Sequence, residues 1–150
     1  MGEKAKTIIP AEASAIMDFR LVKGQSAHAA AEKIRRFMDE SPYGPFDATA
    51  SPVFESYQCP PEDPWAQLAM STAREVTGKD PVVWPLLDGS GPLCWFHRYL
   101  KGPTFIIGLG APFETANTHA PNENIGIEQY LTGIVQMAAM IIRARDFLGH

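Results

Sequence analysis

The sequence predicts an α/β fold, and three observations predict it. The near-continuous apolar runs "VVWPLL" from Val82 and "TFIIGLG" from Thr104 flank a stretch with helical spacing through Leu93, Phe96 and Leu100. Two such runs joined by a capped helix read as a β-α-β unit in a parallel sheet buried on both faces. From Ala13 to Leu21 the odd positions are apolar and Ser14, Asp18 and Arg20 sit between them, with Ile16 the exception, which reads as a half-buried strand. Ile127, Tyr130, Leu131, Ile134, Met137, Ala138 and Ile141 then recur at the spacing of a long final helix.

Taken in order, the strand at 13–21 is followed by "KGQ" and by Ser26, which can cap a helix whose apolar side runs Ala30, Ile34, Phe37 and Met38. Pro42, Gly44 and Pro45 stop it. Phe46 to Tyr57, with Thr49, Val53 and Phe54, reads as a second strand, and Pro52 restricts it to an edge or a bulge. The first unit, residues 1–60, is therefore strand, helix, strand. Pro60, Pro61 and Pro64 mark a boundary, and residues 61–150 form the second unit. Asp63 and Pro64 are an N-cap and first-turn pair. The helix they open carries Trp65, Leu68, Ala69, Thr72 and Val76 on one face, and Gly78 ends it.

Composition narrows the function. A chain of 150 residues, 45% hydrophobic, has enough apolar side chains for one domain or two small lobes. Its net charge of -4 comes from interspersed acids and bases, so nothing offers nucleic acid or an anionic membrane an electrostatic footprint. Cys59 and Cys94 match no zinc or redox spacing, and "MGEKAKTIIP" has no signal-peptide core or spanning segment, so a reducing cytoplasm is the expected setting.

Three polar features sit at ends of expected strands, where sheets of this class keep their chemistry. In "DGSGP", Asp88 to Pro92, backbone amides and Ser90 at a helix start suit an anionic or carbonyl oxygen, though a tight turn with Ser90 as N-cap explains the same residues. His119, with Asn117, Asn122 and Glu123 nearby, is either a zinc ligand or an ordinary polar loop residue; zinc needs three or four protein ligands, and none stands at ligand spacing. Arg20 can grip a carboxylate with two parallel hydrogen bonds, or simply pair with Asp18.

The order "TIIPAEASAIMDFRLVKGQ", then "DGSGP", then "NTHAPNENI" followed by "YLTGI" resembles the C-terminal portion of the zinc aminoacylase and dipeptidase family, metallopeptidase family twenty, from Thr7 to about Phe147. The resemblance implies part of a zinc-exopeptidase-like sheet with flanking helices in the second unit. It implies half of an α+β, ferredoxin-like lid in the first. It also implies roles: His119 as a zinc ligand, Arg20 as the lid arginine that holds the substrate carboxylate, Thr7 as a lid threonine near the substrate, and Ser90 as the serine of the substrate loop. The complete enzyme would hold two zinc ions and cleave dipeptides or N-acyl amino acids, and its lid would make it a homo-oligomer.

Two departures qualify this. Leu87-Asp88-Gly89-Ser90 stands where the dipeptidases have Glu-Gly-Gly-Ser, so the substrate is open. The chain also starts at the second half of the lid. The other metal ligands, the bridging aspartate, the catalytic glutamate and the lid histidine thus have no counterparts, and the expectation is a segment inactive when alone. The alternative expectation is a non-catalytic association module derived from the same family.

Overall fold

The computed structural model describes residues 9–52, 54–87, 89, 91–109 and 113–149. Five helices lie among them: α1 (Ala27–Asp39), α2 (Pro64–Thr77), α3 (Leu93–Leu100), α4 (Phe113–Ala116) and α5 (Ile127–Leu148). Local chemistry sets most of their ends. Ser26 Oγ accepts from the Ala29 N–H at 3.4 Å and starts α1. Asp63 Oδ1 accepts from the Trp65 N–H at 2.9 Å with Pro64 in the first turn of α2. Gly78 stops α2 in the left-handed region at φ 68, its N–H bonded to Arg74 O at 2.8 Å. Lys101 ends α3 in the same way at φ 57, without glycine's freedom. Short α4 carries no amphipathic signal and escapes a reading by periodicity.

The packed centre is the antiparallel pair of α2 and α5. Ala69 and Thr72 are buried on one helix, Gly133 and Gln136 on the other. Thr72 is 1% exposed and satisfies its hydroxyl by donating to Leu68 O at 2.7 Å. Further along, Arg143 donates to Glu75 Oε2 at 2.6 Å and to Ser71 Oγ at 3.2 Å, and Trp65 meets Phe147. Among the described residues no other two helices pack together.

The expected α/β architecture, a partial zinc-exopeptidase-like sheet plus half of a ferredoxin-like lid, is not what the structure shows. Among the described residues there is no strand and no sheet. A strand exists only through hydrogen bonds to a neighbour, and an apolar run states which side chains favour burial without supplying that neighbour. Residues 13–21 precede α1, and 82–87, 104–109 and the described part of 46–57 run between helices, all without a ladder. Side chains tie some of these segments instead. Gln58 Nε2 donates to Pro85 O at 2.9 Å, the Thr104 N–H donates to Tyr57 Oη at 3.1 Å, and the Ala27 N–H donates to Glu55 Oε2 at 2.9 Å.

A consequence is an open molecule. Its accessible surface is 12884 Å². A compact monomer of 16.5 kDa exposes about 7,500 Å². Much of the surplus is apolar: on α5, Ile127, Ile134, Ile141 and Leu148, seven residues apart, all face solvent while Gly133 and Gln136 turn toward α2.

Candidate functional site

A groove of about 750 Å³ runs between the segments at 19–21, 54–61, 81–87 and 104–109, with α2, Gly89, Gly91, the start of α3, and Thr132 and Gln136 of α5 also in its walls. Its walls are largely apolar, with Phe19, Met70, Trp84 and Phe105 among them. Arg20 stands on its rim, its guanidinium 3.8 Å from Asp18 Oδ2 with both side chains well exposed, so the pair is loose and solvent-screened. Gly89 and Gly91 of the "DGSGP" turn also line the groove, which brings that turn and Arg20 to one cleft. Thr7, Asp88 and Ser90 lie outside the described residues.

His119 is elsewhere. It sits on the turn between α4 and α5, exposed, and is not part of the groove lining. The backbone there bends three times through the left-handed region, at Asn117 (φ 51), His119 (φ 62) and Asn122 (φ 64). Asparagine tolerates that region because its short amide bonds locally. The bonds are present: Asn124 Nδ2 donates to Thr115 O at 2.9 Å and to Asn122 O at 3.0 Å, and the Asn124 N–H donates to Ala116 O at 2.9 Å. The asparagines thus hold the turn, and His119 takes a left-handed backbone within it, a conformation that costs a non-glycine residue some strain. No group of three His, Cys, Asp or Glu side chains able to hold a metal occurs among the described residues. One imidazole does not fit a zinc site, so a zinc ion at His119 would require ligands from outside these residues.

Tyr57, Cys59 and Thr104 line the groove, and Tyr57 joins it to a cluster that the sequence does not announce. The Tyr57 ring lies on the His97 ring, centroids 4.6 Å apart. His97 Nδ1 lies 2.8 Å from Gly102 O, and since a carbonyl only accepts, Nδ1 is the donor. Burial pushes the Tyr57 phenol above its ordinary value against the opposing pull of the Thr104 N–H. Burial, then the charge of Asp63, raises the Cys59 thiol. A thiol held protonated is a poor nucleophile, so Cys59 is a packing residue here. Tyr57 and His97 are 40 positions apart and belong to segments read as strand and helix, so no spacing rule links them.

No protein-family model and no curated protein matches the sequence. Among solved structures, the fold is that of part of an M20 family metallo-carboxypeptidase. That solved structure is Sso-CP2 from Sulfolobus solfataricus, to which this chain is similar with a TM-score of 0.69 and 24% identity over 81% of its length. The chain covers 28% of the length of that protein. At this identity the likeness is one of fold. No helix among the described residues is long and apolar enough to cross a membrane.

Proposed function

We propose that this chain is the C-terminal segment of a zinc-dependent peptidase or amidohydrolase acting on dipeptides or N-acyl amino acids, and that it is inactive alone. The observation that carries the reading is the fold likeness to an M20 family metallo-carboxypeptidase over 81% of the chain. The ordered motifs around Arg20, Ser90 and His119 support it. In this reading Arg20, at the rim of an apolar groove, anchors the substrate carboxylate, with Thr7 and Ser90 as further substrate contacts. His119 is one metal ligand, exposed because its co-ligands belong to the rest of the enzyme. When bound, zinc would supply a nucleophilic hydroxide and polarise the scissile carbonyl. The chain's own residues bind and orient. The surplus apolar surface supports association, with that remainder or between copies as a homo-oligomer in the cytoplasm.

The test is complementation. The chain alone should bind no stoichiometric zinc and hydrolyse neither dipeptides nor N-acyl amino acids. Mixed or fused with an N-terminal portion of an M20 enzyme, it should acquire both properties, and His119→Ala should remove them. Turnover by the isolated chain would refute the proposal. Stable association without any activity would favour the non-catalytic association module.

A further inference from the structure

Helix α1 packs on no other helix among the described residues, and a helix of 13 residues is marginal in water by itself. What holds it is concentrated at its N-terminus and comes from a segment about 28 residues away. Glu55 Oε2 accepts the Ala27 N–H at 2.9 Å, satisfying a first-turn donor that a helix leaves unpaired. Ser56 Oγ donates to Gln25 O at 3.1 Å, binding the residue that precedes the Ser26 cap to the same segment. We propose that Glu55 is a remote latch: its ionised carboxylate keeps α1 folded and docked on residues 55–56, and acid releases the helix.

The charge lies where a helix favours it, at the positive end of the α1 dipole. The groups acting on Glu55 all come from the start of α1. They are the Ala27 N–H, the Ser26 hydroxyl and His28, whose Nδ1 is 3.4 Å from Glu55 Oε1 and adds a charge partner only when protonated. Further along α1, Glu32 and Arg35 share with His28 a hollow of about 210 Å³ against Ala50 and Pro52, so this side of the helix lacks close packing. The Ala27 N–H, as the largest influence, holds the Glu55 carboxyl below its ordinary value. The latch is accordingly complete above the ordinary carboxylate range and is lost as the pH falls through the lowered value in the folded chain.

Hydrogen exchange on the full chain tests this, with amides 31–37 of α1 read against those of α2 and α5 as an internal reference. At neutral pH, Glu55→Ala should speed exchange across α1 about tenfold, the effect of losing one hydrogen bond to a charged group. Glu55→Gln, which keeps a neutral acceptor, should give a smaller rise, with α2 and α5 unchanged in both variants. As the pH falls through the lowered carboxyl value of the folded chain, the wild type should lose its α1 advantage over Glu55→Gln. Unchanged α1 exchange in Glu55→Ala, or an equal rise in α2 and α5, would overturn the latch.

Discussion

Trp65 and Phe147 meet edge to face, ring centroids 4.8 Å apart and planes inclined at 64°, where the first turn of α2 touches the last turn of α5. That contact closes one end of the only helix pair that packs among the described residues. Phe147→Ala should therefore lower stability by about 2 kcal/mol, of which roughly 1 belongs to the aromatic pair itself. Urea denaturation followed by tryptophan fluorescence reads both the loss and the exposure of Trp65. An unchanged midpoint would show that the helix pair does not depend on this contact.

Gly133 lets α5 approach the Leu109 side chain. An added Cβ would fall against Leu109 Cδ2 and sit 3.0 Å from Cδ1 and 3.2 Å from Cγ, so most of that side chain must move. Alanine gains about 1 kcal/mol of helix propensity over glycine. Gly133→Ala should thus change global stability by less than about 1 kcal/mol while loosening the segment around Leu109. Hydrogen exchange at residues 105–109 should rise selectively; no change there would mean that Leu109 yields freely.

His119 holds a left-handed backbone at φ 62. A non-glycine residue in that region carries a cost of about 1 kcal/mol that glycine avoids. His119→Gly should keep or raise the melting temperature of the isolated chain while abolishing zinc uptake in the complemented protein. A variant that melts lower than wild type would assign His119 a structural task instead.

Tyr57 presents its hydroxyl to the Thr104 N–H, and burial raises its phenol above the ordinary value. The stability linked to the neutral phenol is full below the ordinary phenol range and is lost as the pH rises through the raised folded value. Tyr57→Phe leaves the Thr104 N–H without its acceptor. It should cost about 1 kcal/mol at neutral pH, and a tyrosinate absorbance step above the ordinary phenol range, expected of the wild type, should be missing from the variant. Equal stability of variant and wild type at neutral pH would make the bond incidental.

Helix ends were legible because the signals that set them are local. Asp63, Pro64 and Gly78 bound α2 by capping and by left-handed backbone, and Ser26 opens α1. The apolar runs at 82–87 and 104–109 were equally visible, yet a strand depends on a partner that no single run contains. The sites divide in the same manner. The groove joins Arg20 to Gly89 and Gly91, while Ser90, the residue the resemblance singled out, lies outside the described residues. The Tyr57 and His97 contact and the Glu55 latch are meetings of distant segments, legible only once the chain is folded.

The wide accessible surface has a thermodynamic signature. The unfolded chain exposes about 24,000 Å², so folding withdraws about 11,000 Å² from water, against about 16,000 Å² for a compact chain of this mass. Heat capacity of unfolding and denaturant sensitivity both scale with the area withdrawn. The isolated chain should therefore melt over a broad interval with roughly two-thirds of the heat-capacity step of a compact protein of its length. A partner that covers the exposed face of α5 would announce itself calorimetrically, by sharpening that transition and enlarging its step.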